Sequence, residues 1–273
     1  MGGKSGGFLG AGIVVLAIAA AGCGYEGSSN PTGLGSGDSA TTGTPAYLGS
    51  GAAADRSRFR VFAATGNIAA TLAEFRVARG EPLNVGRREI RWDGVPLDQL
   101  NVNTFPGDFF NTVVKAGAIF TTDGIGFRNS NRDFSDIDPA YADQFNAFSP
   151  LVTFMPIGSA GLTVSFRVPG FETRAATEGF GVVFSDVERV GSASIKLFDA
   201  EGRSLGQYHA PVRSDAAGFS FVGVVFDSPL VAQVRITSGQ RALGAGVQDL
   251  SDGGNLDLAV MDDYLYAEPQ AIP

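Results

Sequence analysis

A chain of 273 residues with 44% apolar side chains, 21 Phe among them, carries enough material for one sizeable hydrophobic core. Charged residues make up only 18%, glycine reaches 38, and the formal charge is −8. That balance suits a turn-rich β protein and excludes the basic footprint of a nucleic-acid binder. The lone cysteine, Cys23, excludes an intrachain disulfide and a cysteine zinc site, and the lone histidine, His209, excludes a histidine-rich metal centre. Most of the acidic excess reads as solubility, with calcium ligation the sharper use for a few carboxylates.

Residues 1–22 read as a secretion signal. Lys4 supplies the positive start, Phe8 to Ala21 the apolar run, and small residues follow. The run is short and Gly/Ala-rich for a membrane span, which takes about 20 apolar residues. Ala20-Ala21-Gly22-Cys23 resembles the lipobox of bacterial lipoproteins, departing from it at Ala20, where that family has Leu. The resemblance implies that Cys23 becomes the lipidated first residue. The alternative is an ordinary signal peptide with an incidental cysteine. Gly24, in place of Asp, implies by the same resemblance an outer-membrane or cell-surface destination.

Residues 23–55 are rich in Gly, Ser, Thr and Ala and cannot bury enough surface to offset their ordering entropy, so they read as a flexible tether. Residues 56–82 hold the one helical segment. A short strand over RFRVFAA precedes Asn67, a helix cap, after which Ile68, Leu72 and Phe75 recur at helical spacing until Gly80 and Pro82 stop the helix. Its apolar stripe is expected to pack on the following domain, with a partner-binding helix as the alternative.

Residues 83–273 form the β domain. Ile90 and Trp92 alternate with Arg91 and Asp93, and Trp92 reads as a core anchor. Residues 97–160 are irregular, with short strands near Gly117–Phe120 and Gly126-Phe127. Leu162, Val164, Phe166 and Val168 alternate with Thr163, Ser165 and Arg167, and Pro169-Gly170 ends that strand. The organising stretch is 178–238. Phe180, Val182 and Phe184 share one side; so do Ala193, Ile195 and Leu197, opposite Ser194 and Lys196; so do Leu230, Ala232, Val234 and Ile236, opposite Gln233, Arg235 and Thr237. Turn signals at Asp199–Gly202 and Asp227–Pro229 suggest a meander, with the final strand, 259–266, as its partner. Short strands without βα alternation predict an all-β protein, an antiparallel β-sandwich of jelly-roll type preceded by one short helix.

RREIRWDGVP, DFFNT, GFRNSN, QFNAFSP, GFGVVFSDVERVGSASIKLFDAEGRSLGQY, VRITSGQRALG and VMDDYLYAEPQ, in order over about residues 87–269, resemble a group of secreted bacterial proteins. Their central domain is similar to that of extracellular proteins with PEP-CTERM sorting signals. The apolar helix and basic end of such a signal are missing here, and the lipobox would replace that anchor. More distantly the domain resembles jelly-roll carbohydrate-binding modules, which implies a structural calcium held by an early acidic residue and a last-strand Asp.

Asp262 and Asp263 stand out because strand neighbours point to opposite faces, so one of them must face the interior or its rim. A buried carboxylate needs a hydrogen-bond partner, a countercharge or a metal. With Asp93 as partner from the first strand, the three form the candidate calcium site. The alternative is that backbone or arginine donors satisfy them. Asp123, Asp133, Asp136, Asp138 and Asp143 read as a solvated acidic loop, and 249–257 only faintly resembles a calcium repeat. Tyr208, Tyr141 and Phe148 are the candidate aromatic platforms for a sugar, with packing as the competing role. Glu89 and Glu188 are carboxylates available to hydrolysis, and no hydrolase, zincin, P-loop or dinucleotide fingerprint is visible in usable context. The expected function is a lipid-anchored extracytoplasmic binding or structural module for a glycan or envelope polymer, with one structural calcium. Its rivals are a glycan-active hydrolase or lyase, and an adhesin-like protein-binding module.

Overall fold

The computed structural model describes residues 58–80, 82–213 and 218–272. The signal segment, Cys23 and the tether therefore lie outside the described residues.

The alternating runs fold into two antiparallel sheets packed face to face. The chain enters through β1 (Phe59–Gly66), α1 (Ala69–Ala78) and β2 (Arg87–Ile90), and passes a short helix α2 (Phe109–Thr112). Then come β3 (Ala118–Thr121), β4 (Gly126–Ser130), β5 (Thr153–Ile157), β6 (Gly161–Phe166), β7 (Ala175–Ala176) and β8 (Gly179–Ser185). The last part holds β9 (Ser194–Phe198), β10 (Ser204–His209), β11 (Phe219–Phe226), β12 (Gln233–Thr237), β13 (Val260–Ala267) and β14 (Gln270–Ala271). One sheet has seven strands in the order β1-β11-β8-β13-β5-β4, with β2 also on β13; the facing sheet has the order β10-β9-β12-β6-β3. The first strand after the helix thus pairs with the last long one, Ile90 opposite Tyr264. The fold is the expected antiparallel sandwich of jelly-roll type.

The meander is corrected in one respect. Only β9 and β10 form a hairpin, whose turn is closed by Asp199 accepting from the N–H groups of Glu201 and Arg203. The other connections of that stretch cross between sheets, so β8 neighbours β11 while β9 neighbours β12. Turn residues mark where the chain reverses; which sheet receives the next strand depends on the buried face it must match.

The main core lies between the sheets. Trp92 stacks on Phe154, with centroids 3.8 Å apart and planes 6° apart, and meets Phe110 and Tyr264 edge-on. A second core covers the outside of the seven-stranded sheet. Ile68, Leu72 and Phe75 of α1 pack on Phe62, Val183, Phe221, Val225 and Leu265. This explains why β8 and β13 are buried along their whole length: Val182 and Tyr264 face the other sheet while Val183 and Leu265 face the helix. At the start of α1, Asn67 Oδ1 accepts from Ala69 N–H at 3.3 Å. The RFRVFAA segment is more than a leader to the helix: as β1 it pairs with β11 over eight residues and is part of the sandwich.

Candidate functional site

Two carboxylate clusters and one open sheet face are the chemically distinctive places in the fold. The first cluster is the Asp262–Asp263 pair. Opposite Val182 and Phe184 of β8, β13 places Tyr264 and Met261, three residues spanning two. This bulge removes the simple alternation expected of strand neighbours. Both aspartates are buried and turn to the same hydroxyl: Ser149 Oγ lies 3.1 Å from Asp262 Oδ1 and 2.7 Å from Asp263 Oδ1. Asp262 Oδ2 also accepts from Phe148 N–H at 2.5 Å. A hydroxyl has one proton to give, so a carboxyl proton must complete the second contact. Burial and the neighbouring Asp263 charge push Asp262 up to about 8, and burial raises Asp263 as well. Asp93 does not join them. It is exposed on the single 3-10 turn of Trp92–Gly94, and the three carboxylates do not converge as a ligand set. The pair's partners are Phe148 N–H, which reaches Asp262, and the Ser149 hydroxyl, which both share.

The second cluster was not singled out as a set by sequence. Asp186 and Glu188 follow β8, and Asp249 comes from the Gly/Asp loop before β13. One oxygen from each lies within 4.8 Å of the others, an arrangement of the kind a metal ion takes. Asp186 sits at φ 69°, a left-handed position that Asp tolerates better than most residues. Arg213 pairs with Asp186, Nε to Oδ1 at 2.7 Å, and with Glu188. Asp249 Oδ1 accepts from Leu258 N–H at 2.7 Å, and Oδ2 from the N–H and hydroxyl of Ser251 at 2.8 and 2.6 Å. Burial pushes Asp186 up to about 7. Burial and the facing Asp249 raise Glu188; Asp249 is held low because Glu188, Ser251 and Leu258 together outweigh its burial.

The open face belongs to the five-stranded sheet. Core-facing Ile195, Leu197, Val234, Ile236, Leu162 and Val164 leave the alternate residues outside. Cross-strand pairing sets Gln207, Lys196, Arg235, Thr163 and Thr121 in one row, and Phe198, Gln233, Ser165 and Ile119 in the next. The Phe198 ring, half-buried, carries the Arg235 guanidinium 5.1 Å and the Lys196 ammonium 5.5 Å from its centroid.

The aromatic platforms expected from sequence fall elsewhere. Tyr141 is fully buried; its hydroxyl lies 2.9 Å from the carbonyls of both Gly244 and Val247 and accepts from Gly244 N–H, pinning the 244–247 loop. It offers no ring to a sugar. Phe148 is half-buried, edge-on to Phe219 at the margin of the helix-covered core. Tyr208 is half-buried on edge strand β10, edge-on to Phe59, and burial pushes its phenol up to about 12. Phe171 is 64% exposed on the turn after β6, a turn held by the Asn111 side chain through Gly170 N–H and Phe171 O. Glu89 is enclosed by Arg76, Arg79, Arg87 and Arg91, whose bonds outweigh its burial and hold it below the usual carboxylate range. So fixed an anion is a poor proton donor. Of the acidic loop, Asp136 pairs with Arg128 and Asp138 accepts from Ala140 and Gly246 N–H. Asp133 and Asp143 line a surface groove of about 380 Å³ with Asn131 and Asn146.

No family model matches the chain, and no curated protein matches it. Among solved structures, it is similar to the carbohydrate-binding module TmCBM61, determined in complex with β-1,4-galactotriose. That likeness has 10% identity and a TM-score of 0.28, over 63% of this chain and 100% of the module. The enzymatically active domain of tailspike protein 4 of bacteriophage CBA120 is similar at 15% identity and a TM-score of 0.24. There the match spans 62% of this chain but 21% of the tailspike chain. Likeness at this level carries no functional argument.

Proposed function

We propose that this chain is an extracytoplasmic binding module, anchored by lipid at Cys23, whose ligand is a carbohydrate or envelope polymer. One observation carries the binding reading: the seven-stranded sheet is covered on both faces, by the facing sheet and by α1, whereas the outer face of the five-stranded sheet is uncovered among the described residues. That face presents hydroxyl and amide side chains, Thr121, Thr163, Ser165, Gln207 and Gln233, around the Phe198 ring. Hydroxyls and amides exchange hydrogen bonds with sugar hydroxyls, and an aromatic face packs on the apolar face of a pyranose.

The test is a polysaccharide array probed with the full-length protein in mild detergent. Binding that F198A removes supports the reading; silence across the array ends it. The anchor has its own test: C23A should move the chain from the detergent phase to the aqueous phase. The structural calcium is assigned here to Asp186, Glu188 and Asp249, because their oxygens converge and those of Asp93, Asp262 and Asp263 do not. The hydrolase or lyase alternative draws on the groove that Asp133 and Asp143 share, where burial and the Asp143 charge raise Asp133. Turnover of a bound glycan, abolished by D133N, would favour it.

A further inference from the structure

The five strands of the open sheet carry no acidic residue at all, in a chain with 28 of them and a formal charge of −8. Their charged side chains are Lys196 and Arg235, which stand opposite each other on β9 and β12 and both face outward. Neither is paired with a carboxylate among the described residues; both lean over the Phe198 ring. Arg76, Arg79, Arg87, Arg88, Arg91, Arg128, Arg203 and Arg213 hold carboxylates, while Arg167, Arg174 and Arg189 donate to backbone or amide oxygens. The nearest acidic side chains in sequence, Asp199 and Glu201 of the β9–β10 turn, are engaged by Arg203.

We propose that this face recognises an anionic polysaccharide, one bearing carboxylate or sulfate groups, with Arg235 and Lys196 meeting its anions beside a sugar packed on Phe198. The inference rests on the carbohydrate reading above and deepens it. Arg235 offers a planar fork that matches a carboxylate or sulfate with two parallel hydrogen bonds, while Lys196 adds a point charge on a flexible stem. The rows of Thr163, Ser165, Gln207 and Gln233 flank them and suit the hydroxyls of the same chain. In a chain of formal charge −8, two adjacent cations on a sheet without acidic residues give an anionic polymer a local attraction and a register for docking.

The probes are polygalacturonate against its methyl ester, and dextran sulfate against dextran, titrated on the full-length protein in mild detergent. The expected result is binding to at least one charged polymer about tenfold or more tighter than to its neutral form, weakening as salt screens the contact. The double variant K196Q/R235Q loses about the same factor with an unchanged thermal midpoint, because both side chains are on the outside of the sheet. F198A weakens binding to charged and neutral polymers alike. Which of the two charged polymers responds to K196Q/R235Q identifies the anion as carboxylate or sulfate. Equal binding of charged and neutral forms, or a double variant that binds as the parent does, overturns the anionic assignment. If F198A still abolishes binding in that case, the carbohydrate reading stands without it. No binding to either charged polymer overturns the anionic assignment, while the carbohydrate reading is decided by the array.

Discussion

The indole N–H of Trp92 donates to the main-chain carbonyl of Asp262 at 2.8 Å, across 170 residues of sequence. The bond ties the first turn of the sandwich to the bulge in its last long strand, and the stacked Phe154 holds the indole in place. Replacing Trp92 with Phe keeps much of the packing and leaves that buried carbonyl unpaired, at a cost of about 1–3 kcal/mol. Trp92→Ala adds a cavity and costs about 3–5 kcal/mol. Urea unfolding of both variants checks the difference; a W92F protein as stable as the parent would mean the hydrogen bond contributes nothing.

Two buried aspartates, Asp262 on that bulge and Asp186 just after β8, predict a pH dependence of definite sign. Asp262 has its folded pKa raised to about 8 from an ordinary value of 3.8, and Asp186 is raised to about 7. The native state therefore holds more protons than the unfolded chain between those limits. Stability from these groups is full below about pH 4 and is lost as pH rises through about 7 to 8. D262N retains an acceptor for Phe148 N–H and cannot ionise. Its loss of stability between pH 5 and pH 8 should be smaller than the parent's by about 1–3 kcal/mol. Unfolding midpoints at pH 5, 6.5 and 8 read this directly, and parallel profiles for parent and variant would refute it.

The limits of the sequence are instructive at these same residues. Period-two patterning placed Phe180, Val182 and Phe184, and likewise Leu162, Val164 and Phe166, on the inner faces where the structure has them. The same parity puts Phe198 with Ser194 and Lys196 on the outer face, so the candidate platform was legible, though at a strand end it reads as the edge of the core. The bulge was not legible. One extra residue in β13 changes where Asp263 points, and nothing in VMDDYLY distinguishes it from a regular strand. Tyr141 is equally opaque: a tyrosine in a polar loop looks exposed until the chain 103 residues on returns to take its hydroxyl. Asp186, Glu188 and Asp249 converge only because β8 and the loop before β13 end at the same place, a consequence of jelly-roll topology rather than of local spacing.

Phe75 of α1 sits over a pair of glycines. Gly181 and Gly223 face each other across β8 and β11, and a Cβ on Gly223 would lie 2.6 Å from the Phe75 ring. The strands gave up two side chains to admit one ring, which also meets Phe62 and Phe221 edge-on. Phe75→Ala should cost about 3–5 kcal/mol through the cavity it leaves. G223A should cost about 1–3 kcal/mol by displacing the ring. Both are expected to loosen the helix before the sandwich. Hydrogen exchange should therefore speed up in residues 69–78 more than in β9 and β12; uniform acceleration would contradict a separate outer layer.

At the carboxylate triad, Arg213 supplies the countercharge, and the calcium proposed for the site would compete with it. Arg213 bridges Asp186 and Glu188 in the structure, and a calcium ion bound to all three carboxylates would have to replace it. Binding is then tighter at higher pH, since Asp186, pushed up to about 7 by burial, must ionise first. With free calcium at about a hundred times its dissociation constant, the thermal midpoint should rise by about 5–10 °C over that in chelator. The increment should be larger at pH 8 than at pH 6 and absent in D249N. Midpoints that coincide with and without calcium, together with no calcium in the purified protein, would assign the site to Arg213 alone. The triad would then be an ion-paired clamp between the end of β8 and the loop that leads into β13.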